Sequence, residues 1–307
     1  MKKTYFADFT LLLVACIWGA TFVVVQNAIL FLEPHTFNAV RFSIAAIFLF
    51  LWLILFKRKE LKLFNNKLLL SGIAIGFWLF IGYAFQTLGL VDTTSSKAGF
   101  ITGLSVVLVP VFSLFILKIK PSLNAITGVC IATIGLYFMT MSGSSGVNIG
   151  DLLVFICAIG FAMQIVYTGK YSTQFPTLLL TVIQIGTVAL FSSISAFLFE
   201  NWQKVIQPEI LFNREVLFAL VVTSFFATAF AFFVQTYFQK YTSATHTALI
   251  FAMEPVFAAI TAYLFANERM STHGLIGSTL ILLGMILAEL PMKRKKLVEE
   301  IVQEKVI

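Results

Sequence analysis

The sequence predicts an all-α integral membrane protein, with ten transmembrane helices arranged as two inverted five-helix repeats around a central cavity. Three observations lead to this fold class: the composition, a series of long charge-free runs, and a match between the two halves of the chain. Of the 307 residues, 59% are hydrophobic and only 11% are charged, whereas a soluble domain is about half apolar and about a quarter charged. Lipid must therefore cover much of the surface.

The charge-free runs are long enough to cross a membrane as helices. A spanning helix needs about 20 apolar residues, and every backbone amide within lipid must be hydrogen-bonded inside the segment. A membrane β-barrel would instead show short segments of alternating polarity. The longest runs cover residues 9–32, 68–91, 98–117, 216–239 and 270–288.

Polar or turn-forming residues divide the apolar sequence into ten segments. The predicted helices cover residues 7–31, 35–56, 68–90, 94–117, 121–141, 150–170, 177–199, 215–239, 243–266 and 271–290. The breaks include Glu33-Pro34, residues 57–67, Phe175-Pro176 and residues 201–214. A Gly- and Ser-rich linker near the middle of the chain separates a first half, residues 1–142, from a second half, residues 149–291. Residues 292–307 form a basic tail.

The distribution of basic residues predicts the orientation. If the N-terminus is cytoplasmic, most of the 21 lysine and arginine residues lie on the cytoplasmic side, as the positive-inside rule requires. Lys97, Lys204, Arg214 and Arg269 then lie outside, and Arg41 lies within a helix. We therefore expect a multi-pass protein of the cytoplasmic membrane with both termini in the cytoplasm, and the net charge of +7 needs no nucleic-acid partner.

The ends of the chain and its cysteines suggest no further sites. The first apolar segment is too long for a cleaved signal peptide, so we expect it to remain as the first helix. The basic tail is a topology anchor or a contact with anionic lipid. The three cysteines have neither metal-ligand nor disulfide spacing, and we expect no cofactor and no metal.

The two halves of the chain match each other in order. Arg41 and Gln184 each lie 33 residues after an aspartate, Asp8 or Asp151, that opens the half. The further matches are Glu33-Pro34 with Phe175-Pro176, Gln86-Thr87 with Gln235-Thr236, Pro110-Val111-Phe112 with Pro255-Val256-Phe257, and Gly128 and Gly135 with Gly277 and Gly284. Each half holds five helices, so the second must enter the membrane from the opposite side.

Inverted repeats with interrupted helices are a common plan of secondary transporters, in which the interruptions lie at the substrate site. Pro110 and Pro255 each remove a backbone hydrogen bond and bend a helix. We interpret them as helix kinks at the central cavity. The alternative is a packing kink without a role in transport.

The chain resembles the drug/metabolite transporter superfamily, and specifically its EamA-type ten-helix exporters. The residues that carry the resemblance are Ile17-Trp18-Gly19-Ala20-Thr21-Phe22, Arg41-Phe42, Glu254-Pro255-Val256-Phe257, and Glu268-Arg269 with Gly277 and Gly284. The resemblance implies ten helices around a cavity and export of amino acids or other metabolites. In the first half, Lys118-Ile119-Lys120-Pro121 stands where such proteins often have an acidic-basic pair.

Glu254 is the sharpest candidate for a functional residue, because a carboxylate within an apolar helix costs at least about 2.5 kcal/mol unless it is compensated. Either it lines the cavity and binds a proton or a substrate ammonium group, or it forms a structural hydrogen bond. His246 lies eight residues earlier, on a similar face of a continuous helix. Arg41 either binds a substrate carboxylate or extends to the headgroups or a structural partner.

The remaining candidates are neutral. Gln86 and Gln235 are equivalent in the two halves and either form part of two gates or join helices. Trp18, Gln164 and Tyr167 either build an amphipathic pocket wall or pack in the core.

The predicted function rests on the membrane spans and on the absence of known catalytic motifs. The chain has no P-loop, HExxH or GxSxG motif, so we expect a transporter and not an enzyme. The predicted function is export of amino acids or related metabolites by alternating access, as a monomer or homodimer, with protons as a second candidate ligand. The alternatives are a passive channel or lipid-translocating protein and, less favoured, a membrane-embedded lipid enzyme.

Overall fold

A computed structural model describes residues 2–140, 148–265 and 272–289. All regular structure in these ranges is helical. The α-helices are α1 (Lys2–Ala28), α2 (Pro34–Phe56), α3 (Asn66–Gly89), α4 (Ser95–Gly103), α5 (Ser105–Ile116), α6 (Leu123–Thr140), α7 (Ile149–Tyr171), α8 (Thr177–Phe199), α9 (Pro208–Leu211), α10 (Arg214–Val221), α11 (Ala231–Phe238), α12 (Ala244–Phe251), α13 (Glu254–Phe265) and α14 (Thr272–Glu289). A π-helical segment, Val222–Phe230, joins α10 to α11. Short 3₁₀ turns cover Arg58–Leu63, Trp202–Ile206 and Gln239–Tyr241.

Eight of the described helical segments are long and apolar enough to cross a membrane. They are Tyr5–Ala28, Pro34–Phe56, Asn66–Gly89, Lys97–Ile116, Ile149–Tyr171, Thr177–Phe199, Arg214–Tyr241 and Ala244–Thr261. Two shorter apolar helices, Leu123–Gly135 and Thr272–Gly284, lie where the sequence predicts the fifth and tenth spans. The all-helical membrane architecture is therefore confirmed, while the count of ten spans stays a prediction. The Glu268-Arg269 pair, the Gly-rich linker up to residue 147 and the basic tail lie outside the described residues.

The outer surface of the bundle is strongly apolar. Along α2, for example, Leu51, Leu55 and Phe56 are each more than half exposed. Water would make this surface unfavourable, whereas lipid tails are as apolar as these side chains. The exposed apolar surface is that of a membrane protein.

Side-chain caps define where several helices begin. Asn65 accepts a hydrogen bond from the backbone N–H of Leu68 at the start of α3. Asn148 and Asp151 form a reciprocal capping box at the start of α7. The side chains of Thr94 and Ser243 each accept one backbone hydrogen bond, at the start of α4 and of α12 respectively. A cap satisfies amides that have no partner within the helix, so these polar residues also set the ends of the apolar spans.

Two spans are interrupted at equivalent points. The first is capped at Thr94 and breaks at Leu104, between α4 and α5. The second is capped at Ser243 and breaks ten residues later, just as the first does, at Met253 between α12 and α13. The sequence match of the two halves therefore extends to the positions at which the helices break.

The two prolines are not equivalent in the structure. Pro255 lies two residues after the second break, as the second residue of α13, and it has no N–H with which to continue the hydrogen bonds of α12. Pro110 lies inside the uninterrupted helix α5, six residues after Leu104. The prediction that the first interruption lies at Pro110 is therefore wrong. It lies beside Gly103, a residue type with low helix propensity.

Glycines bring α6 and α14 into backbone contact. A Cβ atom built on Gly135 would lie 2.6 Å from the carbonyl oxygen of Gly277, and one built on Gly284 would lie 2.5 Å from that of Gly128. Both distances are too short for a side chain, so all four matched glycines lie at one reciprocal helix–helix contact, as small residues do in membrane bundles.

Helix α1 contacts both halves of the chain. It packs against α4 of the first half and against α10, the π-helical segment, α11, α12 and α13 of the second half. Because α1 contacts both interrupted spans, residues in the middle of α1 lie near both breaks.

Candidate functional site

The two helix interruptions face one central cavity. Gly103 and Ser105 line it on either side of the first break, and Phe251 and Glu254 do so at the second. Further lining residues come from α1, α2, α3, α7 and α11. The polar side chains among them are Thr21, Arg41, Tyr83, Gln86, Thr102, Ser105, Gln164 and Glu254. The cavity therefore has polar groups at the middle of the bundle, where apolar side chains dominate elsewhere.

Arg41 supplies the positive charge of the cavity and is almost completely buried. Its Nε donates a hydrogen bond to Thr228 Oγ1 at 2.8 Å, and one Nη lies 3.5 Å from the Tyr83 hydroxyl. The guanidinium also lies over the rings of Tyr83 and Phe42, at 4.6 and 5.1 Å from their centroids, within the range of cation–π attraction. The side chain is held within the bundle and does not extend to its end.

Glu254 supplies the negative charge at the first turn of α13. None of the three ion pairs found in the described ranges includes either Glu254 or Arg41. Each charge thus faces the cavity without an oppositely charged partner at contact distance among those residues. Such groups are costly inside a membrane protein and usually mark a substrate or ion pathway.

Aromatic rings form one wall of the cavity. Trp18 contacts Phe251 and Phe232, with ring centroids 4.8 and 5.2 Å apart. Tyr83 contacts Phe232 at 6.0 Å and Phe161 at 5.1 Å. These tilted and edge-to-face contacts are favourable for aromatic pairs, and they hold five rings in one continuous wall.

The π-helical segment positions two side chains of the cavity, those of Trp18 and Arg41. Its residue Ala227 accepts a hydrogen bond from Trp18 Nε1 at 2.8 Å, and the next residue, Thr228, accepts the bond from Arg41. A π-helix places consecutive residues differently from an α-helix and often occurs at functional sites. The irregular backbone therefore fixes the indole and the guanidinium from the same side.

Amide side chains continue from the cavity into the protein. Gln86 donates to Thr102 Oγ1 at 3.2 Å within the cavity wall. Gln164 faces the cavity and exchanges hydrogen bonds with Gln235, which in turn donates to Gln239 at 3.3 Å. These buried amides connect α7 to α11.

The structure brings together five of the eight predicted binding residues. Trp18, Arg41, Gln86, Gln164 and Glu254 all line the cavity, although they come from five different helices. Their convergence is a consequence of the fold, because no two of them are neighbours in the sequence.

Three predicted residues do not line the cavity. Gln235 is one hydrogen bond away from it, behind Gln164. Tyr167 stacks on Tyr171, near Lys170. His246 contacts Asp8, because the break before Glu254 separates it from that residue and the geometry of a continuous helix does not apply.

The sequence interpretation did not include Tyr83, Thr102 or Ser105. Tyr83 precedes Gln86 by three residues, so both lie on one face of α3. Thr102 and Ser105 flank Gly103 and Leu104 at the first break. A search for small or hydroxyl residues beside a helix-interior glycine would have found the latter two.

No group of three or more His, Cys, Asp and Glu side chains that could hold a metal ion is found in the part of the chain that the structure describes. The three cysteines, Cys16, Cys130 and Cys157, are free thiols.

Comparison with known proteins gives similarity along nearly the whole chain. A family model described as the EamA-like transporter family matches residues 5–141 and 148–290. A protein of Archaeoglobus fulgidus named "Uncharacterized transporter" is 36% identical over 289 residues, which cover 94% of this chain and 87% of that protein. The "Uncharacterized transporter YoaV" of Bacillus subtilis is 23% identical, over 92% of this chain and 96% of its own length.

A solved structure shows the same fold. The chain titled "Crystal structure of protein" superposes with a TM-score of 0.75, and the match covers 94% of this chain and 97% of that one at 18% sequence identity. At this identity the likeness concerns the fold alone.

Proposed function

The chain belongs to the EamA-like transporter family, and from this premise we propose that it is a secondary transporter that exports amino acids with apolar side chains, or closely related metabolites. The proposal further places it in the cytoplasmic membrane, with both termini in the cytoplasm. Membership of a transporter family and the apolar spans support a multi-pass transporter; the substrate, the direction and the mechanism are the proposed part.

One observation carries the choice of substrate: a guanidinium and a carboxylate face the same cavity, and neither has an oppositely charged partner at contact distance among the described residues. A zwitterion would compensate both charges at once. Its carboxylate would pair with Arg41, whose planar fork matches two carboxylate oxygens. Its ammonium group would pair with the carboxylate of Glu254.

The aromatic wall supports an apolar side chain on that substrate. Ligand sites generally combine an apolar surface with a few polar groups that fix orientation, and here five contacting rings adjoin the two charges. A side chain such as that of leucine or phenylalanine would bury apolar area against these rings, at about 25 cal/mol per Å². Glycine and serine would gain much less.

Alternating access is the mechanism that the two halves favour. Both halves contain an interrupted span with its break at the cavity, and the matched glycines of α6 and α14 pack reciprocally. Two inverted repeats of five helices, ten in all, can exchange conformations and so expose one site to either side in turn. The sequence has none of the P-loop, HExxH and GxSxG motifs that would suggest an enzyme.

Counterflow in liposomes tests the proposal. Purified protein is reconstituted into liposomes that contain an unlabelled amino acid, and the entry of trace labelled leucine, phenylalanine, serine or a nucleoside is followed with time. We expect saturable counterflow of leucine and phenylalanine, and its loss in Arg41→Met and Glu254→Gln.

Gln184→Met is the matched control, because Gln184 occupies in the second half the place that Arg41 has in the first and is equally buried. Gln184 does not line the cavity; its side chain donates a hydrogen bond to Thr236 Oγ1 at 3.0 Å. We expect it to retain counterflow. Flux without saturation or exchange would instead identify a passive channel, and movement of labelled lipid would identify a lipid-translocating protein. If neither amino acids nor lipids move, the proposed substrate class is wrong.

A further inference from the structure

Of the three ion pairs found in the described ranges, two join an interrupted span to the other half of the chain. Lys97 Nζ lies 2.5 Å from Asp151 Oδ2, and His246 Nε2 lies 3.0 Å from Asp8 Oδ1. All four side chains are less than a fifth exposed. We name these contacts the lysine latch (Lys97–Asp151) and the histidine latch (His246–Asp8). Each combines an acid from one half with a basic group from the other.

The two latches occupy equivalent positions. Lys97 is the third residue after the cap Thr94 of α4, and His246 is the third residue after the cap Ser243 of α12. Their partners, Asp8 and Asp151, lie in the opening turns of the first helix of each half. Exchanging the two halves would therefore exchange the two latches.

The latches lie at opposite ends of the bundle. Asp8 is near the beginning of α1, whereas Gln26, 18 residues later in the same helix, bonds Thr93 and Ser95 beside the lysine latch. At 1.5 Å per residue this places about 27 Å of helix between the two ends. Trp18, which lines the cavity, lies between them.

Each latch is connected to the cavity by a short half-helix. Lys97 lies on α4, whose last residue is Gly103 at the first break. His246 lies on α12, whose last residue is Phe251 at the second break. A half-helix of eight or nine residues that is hinged at one end and held by an ion pair at the other can move as a unit when that ion pair opens.

We propose that the two latches close the two ends of the cavity and open in turn. Opening the lysine latch frees α4 and exposes the cavity at the end of the bundle near Gln26. Opening the histidine latch frees α12 and exposes the cavity at the end near Asp8. This proposal rests on the transport function proposed above, but it concerns access to the cavity and can be measured without any substrate.

Accessibility of a single cysteine tests the proposal. The reporter is Ser105→Cys at the first break, in a protein whose three native cysteines are replaced by alanine. A membrane-impermeant thiol reagent is applied from either face of sealed vesicles, and the rate of labelling is measured. We expect Asp151→Asn to raise labelling from one face and Asp8→Asn to raise labelling from the opposite face, each by roughly five- to tenfold.

Two controls separate latch opening from general loosening. The first control, Glu33→Gln, breaks another ion pair between the halves, in which Glu33 lies 2.7 Å from Lys204. Glu33 lies at the start of α2, away from the interrupted spans, so this variant should leave both labelling rates unchanged. The exchanged pair Lys97→Asp with Asp151→Lys should restore slow labelling. Unchanged rates in both latch variants, or increases from both faces in each, would overturn the proposal.

If amino-acid counterflow is absent while the two latch variants still raise labelling from opposite faces, the proposed substrate alone is refuted.

Discussion

At the scale of single residues, charge is what makes a site visible in the sequence. Arg41 and Glu254 could be predicted because a charged group in an apolar run is costly and is retained for a reason. Tyr83, Thr102 and Ser105 carry no such signal by charge, since hydroxyl side chains are readily accommodated in helices by bonds to their own backbone. His246 was misplaced because helical spacing was applied across a break. Only the packing of distant helices decides which neutral side chains reach the cavity.

Glu33 provides a test of surface electrostatics. Its carboxylate accepts a hydrogen bond from Lys204 Nζ at 2.7 Å and one from the backbone N–H of Asn201. The bond from Lys204 is the main cause that holds the pKa of Glu33 below its ordinary value. A pKa lowered by folding gives stability that is present above the unfolded pKa and is lost as pH falls through the folded one.

We therefore expect Glu33→Gln to lower thermal stability slightly at neutral pH, by at most about 1 kcal/mol because the pair is partly exposed. At a pH well below the ordinary pKa of glutamate, the difference from the unmodified protein should vanish. Thermal unfolding in detergent at the two pH values measures this. Glu209→Gln, at an exposed glutamate with no ion pair among the described residues, should show no such difference; an equal effect there would contradict the assignment.

At the scale of elements, close backbone contact makes particular glycines irreplaceable. A Cβ on Gly284 would approach the carbonyl oxygen of Gly128 to 2.5 Å, so α6 and α14 would have to separate. We expect Gly284→Ala to destabilise the protein by about 1–3 kcal/mol, as overpacking does. Gly186→Ala is the control, because no atom of the described residues lies within 4 Å of a Cβ built there. Thermal unfolding of the two variants should differ clearly, and equal stability would contradict the contact.

Replacement of Pro255 and of Pro110 should affect transport differently, because only Pro255 lies at a helix break. Pro255 lies at the second break and prevents the hydrogen bond that would join α12 to α13, whereas Pro110 lies within continuous helix. We expect Pro255→Ala to extend the helix across the break and to slow counterflow about tenfold, because the half-helix is no longer hinged. Pro110→Ala should change counterflow less than twofold, as expected for a residue outside the moving break. A larger loss in Pro110→Ala would show that α5 bends during transport.

At the scale of the whole molecule, the sequence predicts the architecture better than the site. Apolar length and the positions of polar breaks were sufficient to place all the described long helices in order. The four matched glycines, used only as evidence of the repeat, lie together at one packing contact that the sequence analysis did not predict. The interruption at Leu104 and the π-helical segment were not predicted, because neither has a proline to mark it.

The uncompensated charges of the cavity also determine how the empty protein behaves. An unoccupied site must close around Arg41 and Glu254 with no zwitterion to neutralise them, and charges that lose water without gaining a partner are costly. The return of the empty carrier should therefore be its slowest step. We expect obligatory exchange: substrate added on the opposite side should accelerate efflux several-fold, and net efflux into a substrate-free medium should be slow. Equal rates with and without substrate on the opposite side would mean that the two charges meet each other when the empty cavity closes.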